Sequence, residues 1–423
     1  MKQLLFTAAL LIGFTSFSQH GLDTEIENIE KKVIEWRRHF HENPELSNRE
    51  FNTAKKIAAH LKSLGLEVQT GIAFTGVVGI LKGNQPGKVL ALRADIDALP
   101  VYERADLPFK SKVTSRFGGQ DVGVMHACGH DTHTAILMGV AEVLSNNKDK
   151  IKGTIKFIFQ PAEEGAPKGE EGGAALMIKE GVLKNPTVDA IFGLHIGSSQ
   201  PVGTLAYKPG GLMAAAQRFE INVQGKQTHG SMPWGGIDPI MASVKIIDGL
   251  QTLVSREMPL TKEAVVLSIG KITSGVRNNI IPESAQIIGT LRTLDYGMQD
   301  HMNKRMREMV PAIAKAYRAT ATIEIADGTA ITYNHHELTE QMLPSLKAAA
   351  GDKNVFKIKA ITGAEDFSFY QKEIPGLFFF LGGMTPGNKE AFPHHTPDFF
   401  IDESGMLLGV KTFIQLSIDY LNN

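Results

Sequence analysis

Cys128 is the chain's one cysteine, and it lies in Met125-His126-Ala127-Cys128-Gly129-His130-Asp131-Thr132-His133. One thiol and three imidazoles therefore crowd a single short stretch. Further along comes Gln160-Pro161-Ala162-Glu163-Glu164-Gly165, with two adjacent carboxylates. Thiolate, imidazole and carboxylate are the ligands that Zn²⁺ and its first-row neighbours take. An acidic pair offers one carboxylate to hold metal and another to move protons. Taken singly, each feature has an ordinary reading. A lone cysteine packs as a small hydrophobe, a histidine satisfies a local contact, and a Glu-Glu pair faces solvent. Together, in a glycine-containing turn that no periodic core pattern requires, they mark a candidate metallohydrolase.

These residues must be positioned by the elements around them. Residues 24–41 carry Ile26, Ile29, Val33, Ile34 and Trp36 at helical spacing, and 51–64 read as a second helix ended by Gly65. Short, continuous apolar runs follow at 76–81, 89–94, 154–159 and 190–195, as expected of a sheet covered on both faces. Helical stretches at 132–145 and 172–180 lie between them. The texture changes near Leu212. Strand 219–224, helix 238–256, strands 264–272 and 284–293, helix 299–317 and strand 320–326 give the order βαββαβ of a split, ferredoxin-like unit. The α/β pattern then resumes with helix 337–349, strand 376–381 and an amphipathic helix at 405–420.

The expected fold is α/β. A catalytic domain with a central, mostly parallel sheet flanked by helices carries an inserted ferredoxin-like lid. Its divisions are 20–211 and 328–423 for the catalytic domain and 212–327 for the lid. The candidate residues fall near strand ends, where open α/β sheets place their sites. Ala94-Asp95-Ile96-Asp97 follows one strand, Glu163-Glu164 another, and His195 ends the strand 190–194. His394-His395-Thr396-Pro397 follows the last strand.

The 423 residues suggest two or three domains. At 43% apolar and 21% charged, with a net charge of −1, the composition is that of an ordinary globular protein with a sizeable core. No Lys/Arg run points to nucleic acid. Met1-Lys2, an apolar run over 4–14 and then Thr15-Ser16-Phe17-Ser18-Gln19 read as a secretory signal peptide over residues 1–19. The expected location is secreted or periplasmic, with no membrane association after signal removal. One cysteine leaves the mature chain without an internal disulfide.

Seven stretches together resemble the dinuclear metallo-amidohydrolases that include aminoacylases, hippurate hydrolases and auxin-conjugate hydrolases. They are Leu92-Arg93-Ala94-Asp95-Ile96-Asp97-Ala98-Leu99-Pro100, the 126–133 motif, Phe159-Gln160-Pro161-Ala162-Glu163-Glu164-Gly165, Gly193-Leu194-His195, Asn279-Ile280-Ile281-Pro282, Gly363-Ala364-Glu365-Asp366-Phe367 and His395-Thr396-Pro397. They run in family order from about residue 30 to the C-terminus. The resemblance implies that Cys128 is a thiolate shared by two metals. His130 and His195 would be ligands of one ion, and Glu164 and His395 of the other. Asp97 resembles the buried carboxylate behind the ligands, and Glu163 the general base. His229, in Gln227-Thr228-His229-Gly230-Ser231, and Asn279 match lid residues that act on substrate across a dimer.

Of the neighbouring histidines, His126 is set aside and His133 is expected to support ligands from the helix that follows. His394 is ambiguous from residues alone, and the family pattern favours His395, immediately before Thr-Pro. Residues 165–171 and 115–120 are longer than the family's usual turns and flank the presumed site mouth.

The resulting expectation is a metal-dependent amidohydrolase acting on N-acyl amino acids or related conjugates. A metal-bridging water would be the nucleophile and Glu163 the base. Two divalent ions are expected per subunit, Zn²⁺ or Mn²⁺, with Co²⁺ or Ni²⁺ as alternatives. A homodimer through the lid is expected. The alternatives are a dipeptidase or carboxypeptidase of the same family, and a non-catalytic metal- or ligand-binding protein on the same scaffold.

Overall fold

The computed structural model describes residues 21–388 and 390–423. The expected signal segment, residues 1–19, lies outside them. Among the described residues no helix is long and apolar enough to cross a membrane.

The apolar runs assemble into one eight-stranded sheet. Its order is Glu67–Ile72, Gly76–Lys82, Lys152–Gln160, Gln85–Asp95, Ala190–Pro201, Gly376–Met384, Leu205–Tyr207 and Val355–Lys357. The four central strands, Lys152–Gln160 through Gly376–Met384, run parallel. Antiparallel pairs flank them, and a short parallel pair ends one edge.

Successive residues of the central strands enter opposite cores, as the two-residue period of a strand requires. Leu90, Leu92, Phe157, Phe192 and Phe379 pack on one side, and Ala91, Ile158, Ile191 and Phe378 on the other. Helices Asp23–Glu42, His130–Asn146 and Met406–Asn422 supply the first core, and Gly173–Lys179 and Ser368–Glu373 the second. Burial on both faces explains why these strands read as unbroken apolar runs.

Several local expectations are corrected. His195 does not end its strand, which continues to Pro201 because Ile196 and Gly197 pair with the strand Gly376–Met384. The segment 115–120 is not an extended loop but the tip of a hairpin, Thr114–Phe117 against Gln120–Gly123. Gly118 and Gly119 both take positive φ there, as a two-residue turn between twisted strands demands. The helix expected over 238–256 stops at Thr252 and passes into a π-helical turn, Leu253–Glu257.

Residues 215–329 form a second unit. Strands Val265–Ser274, Ser284–Thr293, Ala215–Gln224 and Thr320–Thr329 make an all-antiparallel sheet in that order. Helices Pro239–Thr252 and Tyr296–Ala316 cover one face, burying Phe219, Ile221, Ile246, Leu250, Met302 and Met306. This is the βαββαβ order read from the sequence.

Candidate metal centre

The site lies where the parallel strands end. Strand Gln85–Asp95 delivers Asp95 and, just beyond it, Asp97. Strand Lys152–Gln160 leads into Glu163 and Glu164. Helix His130–Asn146 begins beside them, and Gly129, at φ +92, turns the chain into it.

The expected donors converge. Cys128 Sγ lies 3.4 Å from His195 Nε2 and 3.3 Å from His395 Nε2. His395 Nε2 lies 3.1 Å from Glu164 Oε1. His130 Nε2 is 3.9 Å from Glu163 Oε2 and 4.0 Å from Glu164 Oε1. Donor atoms of Cys128, His130 and Glu164 lie within 4.8 Å of one another, as do those of Cys128, His195 and His394.

Hydrogen bonds decide which imidazole nitrogens are free. His130 Nδ1 faces the Asp97 carbonyl at 3.0 Å and its Oδ1 at 3.1 Å, so Nδ1 carries the proton and Nε2 keeps its lone pair. His195 Nδ1 donates to the Ile196 carbonyl at 2.8 Å, again leaving Nε2. His133 is different. Its Nε2 accepts from the Ile196 N–H at 2.8 Å and its Nδ1 donates to Asp95 at 2.5 Å, so no nitrogen remains for a metal. His394 Nε2 accepts from the Ser198 N–H, which leaves Nδ1 as a donor 3.7 Å from Cys128 Sγ. His126 is fully buried with both nitrogens unpartnered, and burial lowers its pKa to about 4.

The electrostatics call for cations. Asp95, Asp97, Glu163, Glu164, Glu365 and Asp366 gather near Cys128, and the Arg93 guanidinium pairs with three of them. Arg93 contacts Asp95 at 2.6 Å, Asp366 at 2.9 Å and Glu365 at 3.0 Å. With protein charges alone, burial and Glu164, Glu163 and Asp95 push the Cys128 thiol well above its ordinary pKa. Burial and the carboxylates of Glu365, Glu164 and Asp366 push Glu163 well up too. His130 Nε2 is buried without a hydrogen-bond partner. An orphaned donor atom inside an excess of negative charge fits bound divalent ions.

Asp97 backs this arrangement. Its Oδ2 accepts from Ser47 Oγ at 2.7 Å and from the Glu164 N–H at 3.1 Å. Burial opposes its charge most, but the hydrogen bond and charge of His130 together with the Ser47 hydrogen bond outweigh it and keep its pKa below the usual carboxylate value. Glu163 Oε1 accepts from the Asp366 N–H at 3.3 Å.

A cavity of about 620 Å³ opens over these groups, lined by Cys128, Glu163, Glu164, His195, His394 and His395. Met213, Ile358, Ile361 and Phe380 give it an apolar wall, and Arg292 reaches it from the second unit. His229 and Asn279 are not among its lining residues. His229 pairs with Ile280 on the short ladder of Thr228–His229 with Ile280–Ile281, and Asn279 immediately precedes that ladder. A hollow of about 680 Å³ on the second unit's sheet is lined by uncharged residues and offers no comparable chemistry.

Arg292, Arg93 and the Glu365-Asp366 pair have roles that sequence reasoning did not assign. Arg93 had a visible signal, a cation inside an otherwise apolar strand. Arg292 had none, because its neighbours alternate like any half-exposed strand.

A three-layer α/β unit holding such donors beside a spare carboxylate defines a metal-dependent hydrolase. Residues 91–419 match the Peptidase family M20/M25/M40, and the chain belongs to that family. It is 42% identical over 403 residues to thermostable carboxypeptidase 2 of Saccharolobus solfataricus, covering 95% of this chain and 98% of the relative. It is 39% identical to the N-acetylcysteine deacetylase of Bacillus subtilis, covering 92% and 96% of the two chains. Among solved structures it resembles the Bacillus subtilis YXEP protein, described as a dinuclear metal binding peptidase from the M20 family. That match has a TM-score of 0.79 and 36% identity, over 94% and 99% of the chains. The chain is a metallo-amidohydrolase of this family.

Behind the centre, buried His41 joins Asp131 at 2.8 Å and Glu103 at 3.0 Å. Burial and Arg37 oppose a charge on His41, but the bonds to Asp131 and Glu103 outweigh them and raise its pKa. A raised histidine stabilises the fold fully below its unfolded pKa of about 6.5, and that stability is lost as pH rises through the higher folded value. Urea unfolding in chelator should therefore show a loss of stability above about pH 6.5 that His41→Gln lacks. Parallel pH profiles for the two proteins would remove His41 from this role.

Proposed function

We propose that this protein hydrolyses the amide bond of N-acyl amino acids, using two divalent ions held by Cys128, His130, Glu164, His195 and His395. One observation carries the reading. Five donors converge with a buried, unpartnered atom among them, and a sixth group, Glu163, stands in the same cavity without being needed to complete them. A protein that only binds metal has no use for that spare carboxylate.

When bound, the ions supply Lewis acidity, which polarises a carbonyl and acidifies water. The chain's own groups do the rest. Glu163, fixed by the Asp366 N–H, takes a proton from the attacking water and returns it to the amide nitrogen as the C–N bond breaks. The products are a carboxylate and a free amino acid. Asp97 holds His130 in the tautomer that leaves Nε2 free. Among the described residues Arg292 is the one lysine or arginine lining the cavity, and it suits the carboxylate of an amino-acid substrate. The apolar wall accommodates an uncharged acyl group or side chain. Similarity to a carboxypeptidase keeps peptide cleavage as the second reading.

His229 and Asn279 enter this scheme through a partner. They do not line their own cavity, so they act on the reaction if a second chain's lid reaches across. Helix Pro239–Thr252 exposes Ile240, Met241 and Val244, and the edge strand Val265–Ser274 exposes Val266 and Ile272. An apolar face beside an unpaired strand edge supports a homodimer through residues 212–327. Export directed by residues 1–19 belongs to the same reading, and N-terminal sequencing of the secreted protein tests it.

Acetyl-, benzoyl- and indoleacetyl-amino acids should be cleaved in preference to dipeptides, with activity lost in chelator and restored by Mn²⁺, Zn²⁺ or Co²⁺. Glu163→Gln should lower kcat by at least ~10²-fold while metal content persists. Near-normal turnover in that variant would mean that Glu163 is not the base.

Mixing inactive His229→Ala chains with inactive Glu163→Gln chains should partly restore activity, because a mixed dimer has one site with both residues intact. A mixture that demonstrably exchanges subunits yet stays inactive would exclude a role for His229 across the dimer.

A further inference from the structure

Two residues other than glycine at the centre occupy the left-handed backbone region, His395 at φ +61 and Ala162 at φ +52. Ala162 immediately precedes the acidic pair. An alanine has no polar side chain to support that conformation, which is disfavoured for an L-residue. Something else must hold it.

The hold comes from Glu50, on a distant segment. Its Oε1 accepts from the Ala162 N–H at 2.9 Å and its Oε2 accepts from Thr75 Oγ1 at 2.6 Å. Glu50 is completely buried, and its carbonyl accepts from the Ala54 N–H at the start of helix Phe51–Ser63. The carboxylate is thus fixed at both oxygens and rooted in a helix. Ala162 is itself buried, and the glycines beside it leave no space for a side chain. A Cβ built on Gly172 would come 3.2 Å from Ala162 Cβ, and one on Gly173 would come 3.0 Å from the Ala162 carbonyl.

The next residues are gripped as well, Glu164 through its N–H by Asp97 and Glu163 through its carboxylate by Asp366. Glu50 alone of these acts before the turn, where the direction of the pair is set.

We propose that Glu50 is a positioning residue, whose buried carboxylate holds Ala162 in its left-handed conformation and thereby aims Glu163 and Glu164 into the centre. This rests on the roles given above to those two residues. Glu50 neither lines the cavity nor belongs to the converging donors. Its loss therefore acts through geometry, and restoring the geometry another way should restore function. Glycine adopts positive φ without help, so Ala162→Gly should replace what Glu50 supplies.

The test combines Glu50→Ala, Glu50→Gln and Glu50→Ala with Ala162→Gly in the full chain. Mn²⁺ affinity by calorimetry is read beside kcat and KM on N-acetylmethionine. Glu50→Ala should weaken Mn²⁺ binding by about tenfold or more, the scale for groups supporting metal ligands. It should lower kcat by ~10–100-fold, with KM within about threefold, as expected for a misaimed base. Glu50→Gln, which can keep both hydrogen bonds, should retain most of each. Ala162→Gly should recover at least about fivefold of each loss.

Unchanged affinity and kcat in Glu50→Ala overturn the proposal. So does a folded double variant with no recovery, or a Glu50→Gln protein as impaired as Glu50→Ala. Should Glu50→Ala fail to fold, Thr75→Val frees one oxygen of the same carboxylate and takes its place, with the same rescue required. A wild type inactive on every amide overturns the proposed function instead, and the Mn²⁺ affinities still decide the role of Glu50.

Discussion

Six carboxyls and a thiol gather beside the Arg93 guanidinium at the C-terminal ends of the central parallel strands. Arg93, fully buried, neutralises part of this charge by contacting Asp95, Glu365 and Asp366. Around Cys128, Glu163 and Glu164 no lysine or arginine among the described residues makes an ion pair, and the glutamates face only the imidazoles of His130 and His395. Burying such charge is costly unless it is paired. Divalent ions are the partners that the donor chemistry suits, and most features of the centre follow from holding them.

The histidines show how the scaffold assigns roles. His130, His133, His195 and His394 are close neighbours, with His133 and His195 ring centroids 4.7 Å apart. Backbone groups separate them into two kinds. The Asp97 and Ile196 carbonyls accept hydrogen bonds from the Nδ1–H groups of His130 and His195 and leave Nε2 facing inward. The Ile196 and Ser198 N–H groups occupy lone pairs of His133 and His394. The strand Ala190–Pro201 therefore orients a ligand with one carbonyl and withdraws two neighbours with its amides. Its continuation past His195 is what makes this possible.

Much of this was legible in the sequence. Continuous apolar runs gave the parallel strands because those strands are buried on both faces, and the βαββαβ order was visible because each of its elements carries a full period. The five donors stood out through residue type and motif. Other features depend on contacts between distant segments. The grip of Glu50 on Ala162, the contacts of Arg93 with Glu365 and Asp366, and the approach of Arg292 to the cavity have no local pattern. His394 and His395 are adjacent and chemically alike, and only contacts with distant segments distinguish them, the Ser198 N–H on His394 and Glu164 on His395. Residues 115–120 read as an extended turn rather than a hairpin tip because the strands at 114–117 and 120–123 are short and exposed on nearly every residue.

The central claim is that this cluster holds two metal ions through a shared thiolate. Elemental analysis of protein saturated with Mn²⁺ or Zn²⁺ and freed of excess tests it most directly. Five donors are too many for one tetrahedral ion, so wild type should carry about two ions per chain and Cys128→Ala should carry clearly fewer. One ion or none in the wild type, or undiminished metal in Cys128→Ala, would contradict the account.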